Sequence, residues 1–405
     1  MTAVPLARLR NPFERMAQRY AARRAELARP PAFIVLCATV AVLNIVGLVM
    51  ILSASSVAAL SNYGSSWYFF DRQLLWAAIG VVAFVVAARV DYHLWRKLGP
   101  WLLALAFAAC TVVLVPGIGI YVDGSRRWLG AGFLRMQPSE LAKLALLVCA
   151  AEILARRADR LDDYRSWSPV LAILGVLGLL VMKEPDLDST IVLALIAFAM
   201  LIVAGVRTKH LLQLGAAGVL AATVLAYAAP YRRARMFAFL HPWKDTTNTG
   251  YQITQSLIAL GSGGVNGVGL GNGHAKWLFL PNAHTDFIFA IIGEELGFVG
   301  CLLVLGLFAG FGLVGFHVAR RAPDRFGALL AAGITAWVVG QAVINLGAVV
   351  AVLPVSGITL PFLSAGGSSL VIAMLAAGML ANIARQAAVP APKRVSQRRA
   401  SARRA

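Results

Sequence analysis

Charge is scarce in this sequence. Asp and Glu together number 18 among 405 residues, and all charged residues make up 14%. A soluble fold spreads ionised side chains over every exposed face, so this scarcity excludes a soluble globular enzyme. Cysteine is sparse too. Cys37, Cys110, Cys149 and Cys301 all fall inside apolar runs, which suggests neither a disulfide framework nor a metal-type spacing. A soluble repeat period is absent, and the first apolar stretch is too long for a cleavable signal peptide and lacks its small-residue cleavage pattern. What is abundant is apolar sequence, 59% of the chain, in long runs parted by short charged intervals. That is the composition of a polytopic membrane protein. The net charge of +19 does not point to nucleic acid, because most Lys and Arg lie in the tails and in alternate loops.

A bilayer core of ~30 Å needs about 20 apolar residues as a helix. That ruler predicts an all-α fold of about ten membrane-spanning helices, near 32–55, 73–89, 100–120, 137–155, 168–183, 189–206, 210–229, 286–316, 327–352 and 367–387. Residues 1–31 and 388–405 are basic tails around the 32–387 membrane domain. Under this reading the tails and the loops near 89–99, 156–167, 207–209 and 318–326 hold 26 Lys and Arg, against 10 on the other side. The positive-inside rule then places both termini in the cytoplasm, where the tails meet anionic lipid. The longest interval between spans, 230–285, lies outside. Its glycine-rich stretch matches neither a P-loop nor a dinucleotide fingerprint and reads as a re-entrant or folded cap.

Ionisable groups at or inside spans are candidate functional groups. Glu140 and Lys143, three apart at the start of the fourth span, share a helical face, either as an internal ion pair that neutralises both or as part of a site. Lys183-Glu184-Pro185-Asp186-Leu187-Asp188 sets three carboxylates between spans five and six. Asp188 can cap the next helix there, and no standard loop spacing supports a divalent-cation site. Asp286 stands at the mouth of the eighth span after His284 and Thr285, as a helix cap or as a reactive acid. Glu294 and Glu295, about 12 Å further along the helix, read as helix-packing or cytoplasm-linked polar groups. The uncharged stretch Pro361 to Ser369 is either a close-packed turn or a set of anion-binding donors.

These motifs resemble the SEDS family, the FtsW/RodA/SpoVE group of bacterial cell-wall glycosyltransferases, over the whole membrane region. The resemblance rests on Leu52-Ser53-Ala54-Ser55-Ser56, Arg126-Arg127-Trp128-Leu129, Gln137-Pro138-Ser139-Glu140-Leu141-Ala142-Lys143, Pro185-Asp186-Leu187, Gly250-Tyr251-Gln252, Leu360-Pro361-Phe362 and, most specifically, His284-Thr285-Asp286-Phe287-Ile288-Phe289. It implies a ten-span enzyme that polymerises lipid II together with a class B penicillin-binding protein, an FtsI-like transpeptidase. It also implies that Asp286 is the catalytic residue and that Glu140 and Lys143 lie in a central cavity. Two positions depart from the family pattern. Glu184-Pro185-Asp186-Leu187-Asp188-Ser189 stands where Gln-Pro-Asp-Leu-Gly-Thr is usual, and Ala365 where Tyr is common. The Gly293-Glu294-Glu295-Leu296-Gly297 string, Ala283 and the basic N-terminal extension look more like the division type than the elongation type. The division type implies septal work in the inner membrane beside other divisome proteins.

Polymerising a lipid-diphosphate-linked sugar needs a base, positive charge for the departing diphosphate and an apolar flank for the lipid tails. Asp286 can be the base. Arg126, Arg127, Arg232, Arg233, Arg235 and Lys276 are the outer cations available to the diphosphate, with Glu140, Lys143, Asp186 and His284 as further substrate contacts. A divalent cation, Mg or Mn, can share that charge, but the sequence requires no cofactor. Two rivals stand beside this reading. One is a transporter that flips the lipid-linked sugar, using Glu140 and Lys143 along its path. The other is a scaffold that only recruits a partner.

Overall fold

A computed structural model describes residues 31–387, apart from 123, 124, 133, 229 and 249. Both basic tails lie outside the described residues. Twelve helices and three short strands follow one another as α1 Pro31–Tyr63, α2 Tyr68–Arg89, α3 His93–Val112, β1 Ile120–Val122, β2 Ser125–Ala131, β3 Leu134–Met136, α4 Pro138–Arg156, α5 Tyr164–Lys183, α6 Leu187–Ala204, α7 Thr208–Ala228, α8 Pro230–Leu240, α9 Tyr251–Ser262, α10 Ile288–Arg321, α11 Arg325–Val349 and α12 Gly367–Ala387. Ten of these helices have 18 residues or more, and eight are apolar enough to cross a membrane by length and composition. The other two, α3 and α4, overlap expected spans but carry Arg96 and Lys97, and Glu140, Lys143, Glu152 and Arg156. Arg96 of α3 pairs with Glu152 of α4, so part of that charge is neutralised between the two helices. The protein is a helical, multi-pass membrane protein.

Burial sorts the helices. α4 is buried along nearly its whole length and touches α3, α5, α6 and α11, so it forms the axis of the bundle. A helix buried all round needs no polar stripe, and Leu144, Leu146, Leu147 and Val148 fill four successive directions with apolar side chains. α11 and α12 are the next most enclosed. The most apolar 18-residue window of α7 has no buried residue. Its Leu212, Val219, Leu220 and Val224 are exposed, which suits a lipid-facing helix.

Three features differ from the sequence expectation. The third helix runs 93–112 and not 100–120, because Pro116 and Gly117 end the helical run early. The next residues form a small antiparallel sheet in the order β1-β2-β3, so the all-α description holds for the membrane domain but not for this connector. The loop after α9, expected as a re-entrant or folded cap, folds back onto an unexpected break in α10. α10 breaks at Gly297, whose φ of 68° is left-handed, and the break strands backbone groups on either side. The loop satisfies them: Val268 and Gly269 donate to the carbonyls of Glu294 and Glu295, and Phe298 and Val299 donate to those of Gly264 and Val265. A Cβ at Gly297 would lie 2.3 Å from the Gly267 nitrogen, so only glycine admits this seam.

Candidate active site

Asp286 lies at the end of the loop that enters α10. The N-cap position falls on Phe287, one residue later, so the simple cap reading of Asp286 does not describe this helix start. Its segment is docked residue by residue against the stretch before α12 and against α11. Ala365 N–H donates to the His284 carbonyl at 2.9 Å, the Ser364 hydroxyl donates to the Thr285 carbonyl at 2.6 Å, and the Asn345 amide donates to the Asp286 carbonyl at 2.8 Å. The Pro361–Ser369 stretch is therefore a close-packed turn. Because Ala365 contributes through its backbone, the missing Tyr there leaves this docking intact. The Asp286 side chain is half-buried, and its carboxylate lies beside Gly357.

Glu140 and Lys143 form the expected pair, with Nζ 2.8 Å from the carboxylate and both side chains buried. Pro138 starts α4 at its first position and delivers Glu140 into the first turn, where an acid suits the helix dipole. Lys143 also donates to Gln341 of α11 at 3.4 Å and lies over the Trp337 ring at 5.6 Å. A buried ammonium with carboxylate, amide and aromatic partners is well compensated. Beside the pair is a cavity of about 10 Å³, lined by Glu140, Trp337, Gln341, Thr359 and Ser369, with room for one water. Gln341 in turn donates to the Thr359 carbonyl at 2.9 Å. The pair and Asp286 thus meet the same extended stretch, through Gln341 and Asn345, one turn apart on α11.

The short loop between α5 and α6 is built differently from the expectation. Asp186, not Asp188, caps α6, accepting from Ser189 N–H at 3.0 Å and its hydroxyl at 2.7 Å, with Gln137 Nε2 at 2.9 Å. Its oxygens are thereby engaged in local structure. Asp188 reaches across to accept from Gly357 N–H at 2.9 Å. Glu184 is fully buried near the Cys110 thiol, and burial followed by the nearby Asp186 charge pushes its carboxyl up to about 8. That shift favours the protonated form at neutral pH. Because its folded value lies above the ordinary 4.5, its favourable contribution is complete below that value and is lost as pH rises toward 8. Glu184→Gln, neutral at every pH, should gain in melting temperature relative to the parent as pH rises from 5 to 9, with activity at neutral pH within about threefold; a difference independent of pH would contradict a protonated Glu184.

The cations divide. Arg127 spends donors on the Glu184 and Pro185 carbonyls and so holds the α5–α6 loop, while Arg126 is half-buried on β2. Lys276 is not an open cation: it pairs with Glu295 at 2.9 Å and bonds Ser53 at 3.1 Å, buried between α1 and α10. Glu294 accepts from the backbone of His274 and Ala275. Both glutamates therefore fasten the loop that precedes α10. Arg233 is exposed on α8, where Arg232 and Arg235 also lie, though their side chains are outside the described residues. His284 packs on Phe69 with ring centroids 4.5 Å apart, and burial lowers it to about 4. It is neutral at pH 7 and offers a hydrogen bond and not a charge. Among the described residues no three His, Cys, Asp or Glu side chains group as a metal site.

Comparison with known proteins decides the family. The profile described as cell cycle protein, covering FtsW, RodA and SpoVE, matches residues 34–389. The chain belongs to the FtsW/RodA/SpoVE family. It is 42% identical over 341 residues to stage V sporulation protein E of Bacillus subtilis, covering 84% of this chain and 93% of that protein. It is also 42% identical over 357 residues to a probable peptidoglycan glycosyltransferase FtsW of Nitrosococcus halophilus, covering 87% and 92%. Among solved structures it resembles a chain from work on structural coordination of polymerization and crosslinking by a peptidoglycan synthase complex, with TM-score 0.72, 27% identity, and 87% and 97% of the two chains covered. Thermus thermophilus RodA gives TM-score 0.64 at 26% identity, covering 87% and 96%. Within this family fold, sequence reading missed Asn345, Gln341 and Gly357. The two amides had a signal, since polar residues one turn apart in an apolar helix point to a shared partner.

Proposed function

We propose that the chain is a peptidoglycan glycosyltransferase that polymerises lipid II on the outer face of the cytoplasmic membrane, with Asp286 as its general base. The observation that carries this reading is the half-buried Asp286 carboxylate at the entry of α10, on a segment whose three successive carbonyls each accept a hydrogen bond, and next to a residue with no side chain. Asp286 takes the proton from the acceptor sugar hydroxyl as its oxygen attacks the donor's anomeric carbon. The bond from that carbon to the diphosphate oxygen breaks, its electron pair leaves with the lipid diphosphate, and configuration at the carbon inverts. Arg126, the remaining donors of Arg127, and Arg233 with its α8 neighbours are the cations offered to the diphosphate. Exposed apolar faces such as α7 suit the polyprenyl tails, so the substrate stays in the bilayer. A divalent cation can share the diphosphate charge, though the sequence requires none.

The site requires residues 230–285 to lie outside and the tails inside. A cysteine placed at the exposed Thr247 should react with a membrane-impermeant maleimide added outside intact cells. Reaction only from the cytoplasmic side, in active protein, would overturn the topology. The family relatives named FtsW favour the division branch, at the septum with an FtsI-like class B penicillin-binding protein and other divisome proteins. Purified chain should make glycan from labelled lipid II, faster when its cognate class B protein is added. Equal rates without any partner would argue against partner dependence.

A further inference from the structure

The extended stretch from Ser356 to Leu360 is held at each of its three central residues by a side chain of α6 or α11. Gly357 N–H donates to Asp188 of α6. The Ile358 carbonyl accepts from Asn345 at 2.7 Å and the Thr359 carbonyl from Gln341 at 2.9 Å, both on α11. Asn345 is 1% exposed, and its amide nitrogen gives its second hydrogen to the Asp286 carbonyl. One buried side chain thus spans the two strips of backbone that face each other at the site. Gly357 is exposed between the buried Ser356 and Ile358. A methyl group on Gly357 would lie 3.1 Å from an Asp188 carboxylate oxygen and 3.8 Å from an Asp286 carboxylate oxygen. The two carboxylates therefore border one small space, kept open by the absence of a side chain.

We propose that Asn345 is a positioning residue for the reaction, aligning the Asp286 carboxylate over the Gly357 gap where the acceptor hydroxyl is received. Asn345 touches no substrate; it acts through the Asp286 backbone. The physical argument is one of register. Asp286 belongs to the α10 entry segment and Gly357 to the connector before α12, and these segments are distant in sequence. The two N–H groups of the Asn345 amide end one on Asp286 itself and one on the neighbour of Gly357. An amide is suited to this task because its two N–H groups diverge in a fixed plane. Loss of the amide leaves two buried carbonyls without their donor and lets the two strips slide. A shift of about 1 Å at a reacting group lowers rate by roughly 10²-fold.

The inference rests on the general-base reading of Asp286, and the experiment separates the two. Asn345→Leu keeps the volume and removes both donors; Asn345→Ser is a smaller change that retains one. Each full-length variant, purified with the cognate class B protein, is assayed for polymer from fluorescent lipid II, with rates normalised to monodisperse protein. Asn345→Leu should lower kcat by about 10- to 100-fold with apparent KM within about threefold, and Asn345→Ser should fall between it and the parent. Thr335→Val, a buried substitution on the same helix at a side chain that bonds its own backbone, should leave kcat unchanged. If Asp286→Asn is inactive while both Asn345 variants keep parental kcat per folded molecule, Asn345 is structural and the proposal fails. If Asp286→Asn is itself active, the general-base reading fails first. Should Asn345→Leu not fold, the kcat of Asn345→Ser decides alone. Gly357→Ala adds an independent reading, because the added methyl occupies the proposed gap and should lower kcat/KM by at least about tenfold.

Discussion

Asp286→Asn is expected to remain in the membrane at the parental level and to make no glycan above background. The substitution keeps the shape of the side chain and one carbonyl oxygen but removes the ability to accept a proton. Loss of a general base lowers rate by about 10²- to 10⁴-fold, whereas an altered helix entry costs roughly 0.5–2 kcal/mol of stability and leaves rate per folded molecule alone. The structure sharpens the contrast, since the N-cap of α10 is Phe287 and the Asp286 backbone is bonded through its carbonyl, which Asn retains. The check is a polymerisation gel with rates per folded molecule beside a thermal melt. Near-parental glycan synthesis by Asp286→Asn would move the base to Glu140, Asp186 or Asp188, and of these only Asp188 reaches the same gap.

The second large effect is expected at Lys143. Lys143→Met leaves Glu140 buried without its partner, which costs about 3–5 kcal/mol, and the variant should melt well below the parent. Replacing both members with apolar residues, Glu140→Leu with Lys143→Met, removes the stranded charge and should recover most of that stability. Activity should not return in the double variant if the pair serves the substrate. Recovery of both stability and glycan synthesis would leave the pair as internal neutralisation alone. The measurement is a melting curve and a polymerisation rate on each of the three proteins.

Much of this was legible in the sequence, for reasons particular residues make plain. Helix α12 coincides with its expected span because Gly366 and Gly367 mark its start and its apolar run is unbroken. The Glu140–Lys143 contact followed from a spacing of three on a helix. Asp286 stood out as an acid at a span mouth. The failures share a cause, which is that tertiary partners are silent in a single sequence. Lys276 read as a free outer cation because Glu295 and Ser53 are brought to it by the fold. Asp188 read as the cap of α6 because nothing local shows that Gly357, from a distant connector, takes its carboxylate and leaves Asp186 to cap. Glu184 looked like a third charge in its loop, yet full burial keeps it neutral, which is electrically what the family's usual Gln supplies. The β1–β3 connector escaped the apolar-run ruler because its strands are three to seven residues long.

Glycan chemistry at Asp286, and not transport of the lipid-linked sugar, is the proposed activity of this chain. The measurement that tests this most directly uses the purified chain with its cognate class B penicillin-binding protein in liposomes carrying fluorescent lipid II. Products are separated by gel for chain length, and label exposed on each leaflet is followed in the same vesicles. The account predicts a ladder of glycan polymers from the parent and none from Asp286→Asn. Leaflet exchange of lipid II that depends on the protein, with no polymer from the parent at any partner concentration, would contradict it.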